Sequence, residues 1–389
     1  MRRPSCGYAA LFAGKQRADL VFKQQRECTQ IDDQRVLAIN PGSTSTKIGV
    51  FEGEKLVYEG VVRHTAEEIA AWGGVIAQAP MRMKLIRELL AKENIDLATM
   101  DAFVGRGGIV RPLKSGVYTI NEKLLDDLYH LPSASRHASA LGGIFAHELG
   151  EEYGKPCFIA DPVVVDERND IARVTGLPDV ERTCVFHCLN IKATARKYCK
   201  EHEKDYNNTN LIVAHMGGGI SVAASEKGVV IDVNDAIAGE GPFSPERTGS
   251  IPMKLVLDMC FSGDYTKEQL YGFCSKTGGF VAHMGTNSAL DVENAMLAGD
   301  EKAKMVFEAL GYNVAKTIGE MAAVLKGNVE AILLTGGLAY SKPLCKYISD
   351  MVSFIAPICV YPGESELDAL AGSAIRVLSG EEDAKEYLG

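Results

Sequence analysis

From Arg35 onward the chain is written in short apolar runs separated by glycine-rich and polar breaks. VLAIN (36–40) is an unbroken apolar run closed by asparagine, the pattern of a strand buried on both faces. IGVFEG (48–53) and KLVYEGVV (55–62) predict two further strands joined by a tight turn over 52–54. Between the first two lies PGSTSTK (41–47), whose residues predict a loop. Apolar positions at helical spacing predict a helix over 81–93, and DAFVG (101–105) reads as a buried strand. Short helices are expected over 121–130 and 136–150, then a strand at CFIAD (157–161).

The opening pattern returns near the middle of the chain. LIVAH (211–215), MGGG (216–219) and ISVAAS (220–225) again give strand, glycine loop and return strand. The openings at 36–62 and 211–233 therefore predict two related halves, on topology rather than on sequence identity. Val306, Leu310, Val314, Ile318, Met321 and Leu325 fall three or four apart, the apolar stripe of a long helix that stops at Gly327-Asn328. AILLTGG (331–337) predicts a strand ending in a glycine turn, with a helix from about Tyr340. A strand over 357–361 and a helix over 366–379 close the chain. Strands alternate with helices throughout, so the class is α/β.

Composition narrows what such a protein can do. At 389 residues the chain has room for two or three domains, and 46% hydrophobic with 24% charged residues supplies an ordinary globular core. A formal charge of −10 removes the cationic face that a nucleic acid or an anionic membrane requires. An anion must then be held by local amides, lysines and arginines. Ten cysteines are dispersed without a CxxC pair, which predicts free thiols in a reducing cytoplasm. Cys184, His187 and Cys188 cluster but lack a second ligand pair, so they do not read as zinc ligands. No apolar run approaches the ~20 residues of a membrane span. Residues 1–34 carry Arg2, Arg3 and an apolar patch over 8–13 that is too brief for a signal peptide. They are expected to be an N-terminal extension outside the folded unit, disordered or an artefact of the chosen start codon.

Three strand-to-glycine junctions hold the candidate chemistry: NPGSTSTK (40–47), HMGGGIS (215–221) and TGGLAYS (335–341). Glycine lets backbone amides approach an anion, hydroxyls add donors, and Lys47 adds a point charge. None is a Walker A loop, none opens a helix as GxGxxG does, and GRGG (105–108) is too short to count. One such loop alone is an ordinary hairpin; three, two of them opening corresponding halves, predict a phosphate clamp. Arg106 and Arg247 lie among glycines and prolines and are therefore loop-borne. A loop arginine is usually a solvated charge, yet two could neutralise a transferring phosphoryl group, a role worth about a thousandfold in rate. Asp161 ends a strand, where active-site residues of α/β proteins gather, or else starts a turn. His187 and His215 taken alone are ordinary structural histidines. Glu364 and Glu366 precede the last helix, where an acid complements the helix dipole or holds Mg2+ through water.

Taken in order, NPGSTSTK, VGRGGIVRPLKSGVY, FHCLNIKATAR, HMGGGISV, GPFSPERTGSIP, LTGGLA and YPGESELDALAGSA resemble the butyrate kinase branch of the acetokinase family, over essentially all of 35–380. The resemblance implies a duplicated actin-like (ribonuclease H-like) fold with ATP and acid in a cleft between two domains. These would span 35–187 and 188–365, with a C-terminal helix over 366–380 returning to the first. It implies reversible, Mg2+-dependent transfer of phosphate between ATP/ADP and the carboxylate of butyrate or a related short-chain acid, giving an acyl phosphate. Asn40 would orient phosphate and metal, with Ser43, Ser45 and Lys47 in the first phosphate loop. Arg106 would meet the carboxyl and phosphoryl groups, Asp161 would lie near the metal, and His187 would donate to the transition state. His215 with Gly217, Gly218 and Gly219 matches the second phosphate loop, Arg247 the second arginine, and Gly336 and Gly337 the adenosine side. Phe186, beside His187, is expected to line an acyl pocket. Acetate kinases carry adjacent glutamates near the C-terminus, whereas here Glu364-Ser365-Glu366 leaves the metal-linked acid open between the two. The resemblance also implies a homodimer or higher assembly. Rival readings are an acetate, propionate or sugar kinase, the last with Asp161 as base, and a non-catalytic nucleotide sensor. GPFSPERTGSIP argues against the sugar kinase, and Arg106, His187 and Arg247 together argue against the sensor.

Overall fold

Both strand–loop–strand openings fold as hairpins that seed two sheets of one topology. The structure, a computed structural model, describes residues 34–389, so the extension expected over 1–34 lies outside the described residues except for Gln34. The first half comprises β1 (Arg35–Pro41), β2 (Ser45–Glu52), β3 (Lys55–Arg63), α1 (Ala66–Trp72), α2 (Ala79–Lys92) and β4 (Ala102–Gly105). It continues with β5 (Val117–Thr119), α3 (Glu122–His130), α4 (Ala140–Tyr153) and β6 (Cys157–Ala160). Next come α5 (Cys188–Glu201), β7 (Leu211–Met216), β8 (Ile220–Glu226) and β9 (Val229–Val233). Four shorter helices follow: α6 (Met253–Phe261), α7 (Lys267–Ser275), α8 (Gly279–Met284) and α9 (Ala289–Leu297). The chain ends with α10 (Glu301–Val324), β10 (Ala331–Gly336), α11 (Lys342–Val352), β11 (Ile358–Pro362), α12 (Glu366–Leu378) and β12 (Lys385–Glu386).

The first sheet runs β12-β5-β6-β4-β1-β2-β3 and the second β11-β10-β7-β8-β9. Within them β3-β2-β1-β4-β6 and β9-β8-β7-β10-β11 share one pattern, an antiparallel meander extended by two parallel strands. Each meander even bulges at a corresponding place, Val50/Phe51 in one and Ala224/Ser225 in the other. Parallel register pairs Ile39 with Gly105 and Gly105 with Ile159. It also pairs His215 with Thr335 and Thr335 with Tyr361. The C-terminal ends of the inner strands are thereby aligned in each half, and that rim is where α/β proteins hold ligands.

Helices cover both faces of each sheet. On the first, α2 and α4 bury Ile86, Leu90, Leu141 and Ile144 against Leu37, Ile39 and Phe103. The opposite face receives α12, whose Leu370, Ala371 and Ala374 pack on Val36, Ala38 and Val104. On the second sheet α10 covers one face and α5 the other, with Ile191 and Ala195 against Leu211, Val213 and Leu333. Since α12 also touches α5, these two helices form the layer between the sheets.

Local details depart from the sequence pattern in several places. The loop predicted over 41–47 shrinks to Gly42–Thr44, because Ser45–Lys47 pair as strand with Pro41 and Arg63. The helix expected from 136 begins at Ala140. The pattern passed over β5, only three residues long, and the helices between Met253 and Leu297. Neither α6 nor α7 buries a residue, so neither carries the one-sided stripe that marks a packed helix.

Candidate active site

Asn40 and Arg106 leave neighbouring strand ends and meet at one carboxylate. Asn40 Nδ2 donates to Glu366 Oε2 and Arg106 Nη1 pairs with Glu366 Oε1. Glu366 is the first residue of α12, where the helix N-terminus also favours a negative charge. The Arg106 backbone is fixed by Ile39 O, which accepts from its amide at 3.2 Å, and by Gly143 N, which donates to its carbonyl at 3.0 Å. This requires glycine at Gly105, where a Cβ would lie 2.0 Å from Gly142 O. Ser43, Thr44 and Lys47 are exposed beside Asn40, with Ser45 half-buried.

The facing wall is built on β7 and its glycine loop. His215 is buried; its Nδ1 lies 2.9 Å from Asn190 Oδ1, and its Nε2 lies 3.2 Å from Glu364 Oε1 without the alignment of a hydrogen bond. This contact with His215 holds the Glu364 carboxyl below its usual range against the effect of burial, helped by Arg106 and Lys47. Glu364 also covers Gly217, where a Cβ would come within 2.9 Å of Oε1. The loop is braced by Gly217 N donating to Gly219 O and by Ser244 Oγ donating to Gly218 O. Arg247 packs directly on it: a Cβ at Gly219 would sit 2.1 Å from Arg247 Nη1. That nitrogen donates to Ala236 O at 2.7 Å, while the buried Nε has no protein partner among the described residues. Gly336, at φ 88°, lies where a Cβ would strike Met216 O at 2.4 Å. Gly336 and Gly337 thus sit at the same rim, and Gly337 opens a short 3-10 turn.

His187 stands between the walls at the N-terminus of α5. Its ring stacks on His215 with centroids 3.9 Å apart, and its Nδ1 is 2.9 Å from Ser221 Oγ. Burial holds the His187 imidazole well below its usual pKa, and His215, Arg247 and Arg106 add to the effect. The ring is therefore neutral at neutral pH. A serine hydroxyl donating to Nδ1 would leave the proton on Nε2, free to donate.

Two expected residues lie apart from this cluster. Phe186 is a correction: it is 2% exposed and packs among Val165, Cys188 and Ile191, so it presents almost no surface to an acyl tail. Asp161 follows β6 at φ 39°, accepting from Gly116 N at 2.7 Å. Burial raises its carboxyl, and the charges that oppose this are Lys192, Arg196 and Arg376 on the central helices, not Arg106 or Arg247.

The sequence reading missed His137. Its Nδ1 lies 2.6 Å from Ser139 Oγ, and Arg106 and Arg247, the two arginines that act on His187, act on it as well. It precedes α4 in a turn-rich stretch with no motif to single it out.

Among the described residues no three His, Cys, Asp or Glu side chains converge as a protein-only metal cage. Mg2+ does not ask for one, since it keeps waters and binds through one or two carboxylates plus phosphate oxygens. The Glu366 carboxylate, with lone pairs beyond those used by Asn40 and Arg106, fits that demand.

Two sheets of one topology, with glycine loops at their aligned strand ends and Arg106 and Arg247 beside those loops, define an α/β protein of the actin-like class. The chain belongs to the acetokinase family, whose family model matches residues 180–348. It is 51% identical to butyrate kinase 2 of Clostridium acetobutylicum over 353 residues, 91% of this chain and 99% of that one. It is 49% identical, over the same shares, to a probable butyrate kinase of Clostridium botulinum. Among solved structures, acetate kinase of Porphyromonas gingivalis matches with a TM-score of 0.73 at 18% identity, covering 89% of this chain and all of that one. A propionate kinase of Francisella tularensis matches at 0.67, also at 18% identity, over 87% and 98%. At such identity these two likenesses speak for the fold.

Proposed function

We propose that the chain is a butyrate kinase, transferring the γ-phosphoryl group of ATP reversibly to the carboxylate of butyrate or a closely related acid. The observation that carries this reading is the convergence of Arg106 and Arg247 on a neutral His187 between two glycine-lined loops. A carboxylate oxygen attacks the γ-phosphorus in line, the bond to the ADP oxygen breaks, and the acyl phosphate leaves. The acid is already ionised at neutral pH, so the enzyme supplies no nucleophile. Arg106 and Arg247 offset charge on the equatorial oxygens, and His187 Nε2–H donates to one of them. Asn40 and Glu366, with Glu364 adjoining, would hold Mg2+, whose charge offsets that of the β- and γ-phosphates. Ser43, Ser45 and Lys47 receive phosphate from one wall and Gly217, Gly218 and Gly219 from the other, with Gly336 and Gly337 at the adenosine side. Asp161 acts from behind the strand ends, by positioning.

Each methylene buried in an acyl pocket is worth about 0.8 kcal/mol, only a few-fold in selectivity, so propionate, isobutyrate and valerate are slower substrates. The test is hydroxylamine trapping of the acyl phosphate with Mg-ATP and each acid. A yield peaking at butyrate supports the reading; no hydroxamate from any acid overturns it.

A second copy of the chain is the proposed partner. Helix α6 buries nothing, leaving Met253 72% and Phe261 84% exposed, an apolar face of the kind that pairs. The thiols among the described residues are unpaired, which supports a reducing cytoplasm. No helix among those residues is long and apolar enough to cross a membrane.

A further inference from the structure

Arg82 is among the largest fully buried side chains, 1% exposed, and no carboxylate pairs with it among the described residues. It reaches from α2 to the back of the β1–β2 loop. Nη1 donates to Gly42 O at 2.9 Å, Ser45 O at 3.3 Å and Thr46 Oγ1 at 3.1 Å. Nη2 donates to Ser43 O at 2.9 Å. Gln78, one turn earlier, accepts from Nε at 3.1 Å and Nη2 at 2.8 Å. The remaining loop carbonyl, Thr44 O, accepts from His64 N at 2.9 Å. Every carbonyl from Gly42 to Ser45 is thus drawn inward. The amides of exposed Ser43 and Thr44 have no acceptor among the described residues.

A buried cation without a counter-ion is costly unless something compensates it. Backbone and amide oxygens solvate this one but leave its charge uncancelled. We propose that Arg82 is a positioning residue for the anionic ligand of this loop: its fork turns the loop amides outward, and its unpaired charge draws polyphosphate onto them. This rests on the reading of the β1–β2 loop as a phosphate site. A merely structural arginine needs the hydrogen bonds alone; this role also needs the charge.

Gln78→Glu separates the two. The new carboxylate still accepts from Nε and Nη2 but cancels the charge. The variant should melt at or above the wild-type temperature while the Kd for Mg-ADP, by titration calorimetry, rises at least about tenfold. The KM for butyrate should stay within about twofold. Arg82→Lys keeps the charge but loses the fork, and should raise the KM for ATP more than it lowers kcat. An unchanged Kd in a folded Gln78→Glu protein, with binding weakened in Lys47→Ala, overturns the role of Arg82 alone. Unchanged binding in both variants overturns the phosphate-loop reading as well. Should Gln78→Glu not fold, the Arg82→Lys kinetics decide: an unaltered KM for ATP is then the overturning result.

Discussion

The imidazoles of His187 and His215 stack face to face, 3.9 Å between centroids and 12° from parallel. One ring comes from the start of α5 and the other from the end of β7, so the contact joins the helical layer between the sheets to the rim of the second sheet. Two cations cannot share this geometry cheaply, and both arginines of the cleft add to the pressure on His187.

The sign of the resulting pH dependence is fixed. His187 is depressed in the folded state, so it binds fewer protons there than when unfolded. Its contribution is fully present above the unfolded value, near 6.5, and is lost as pH falls from there towards the folded value. Melting curves from pH 8 to pH 5 should therefore fall more steeply for the wild type than for His187→Gln. Parallel curves would show that the ring is not depressed.

Arg247 touches the second glycine loop and makes no ion pair within 4 Å among the described residues, with Glu246 and Asp235 acting on it from farther off. Arg247→Ala should lower kcat by about a thousandfold or more while the Kd for Mg-ADP moves little. Near-normal turnover would remove it from the mechanism.

Gly219→Ala should mimic that loss without touching the arginine. A methyl group there would sit 2.1 Å from Nη1, so the guanidinium must move, and about 1 Å of misplacement costs on the order of a hundredfold. Gly319→Ala in α10, where nothing lies within 4 Å, serves as the control and should leave kinetics unaltered.

The two C-terminal glutamates are separable. Glu366 touches Asn40 and Arg106, whereas Glu364 faces His215. Glu366→Gln should raise the Mg2+ concentration for half-maximal rate well beyond the effect of Glu364→Gln. The opposite order would assign the metal to Glu364.

Stability rests partly on a buried ion pair. Lys192 Nζ lies 2.6 Å from Glu167 Oε1, with side chains 4% and 7% exposed, and also donates to Gly228 O. Lys192→Met leaves a buried carboxylate unpaired and should cost about 3–5 kcal/mol, read by denaturant unfolding.

The sequence alone determined the α/β class, the duplicated meander, the glycine loops at the strand ends and the loop-borne arginines. These follow from local rules: alternating or unbroken apolar runs state which faces are buried, and glycine marks where backbone must come close. Tertiary structure alone decided who meets whom. Asn40 and Glu366 are 326 positions apart, and no periodicity encodes that α12 returns to the first sheet at that register. Phe186 stands next to His187 in sequence, yet one faces the core and the other the cleft, because the turn into α5 points them apart. Arg82 reads as an ordinary charge on an amphipathic helix until packing closes it behind the β1–β2 loop. A through-space partner is chosen by chain closure and by which polar groups must be satisfied once water is excluded, and neither is written in the neighbouring residues.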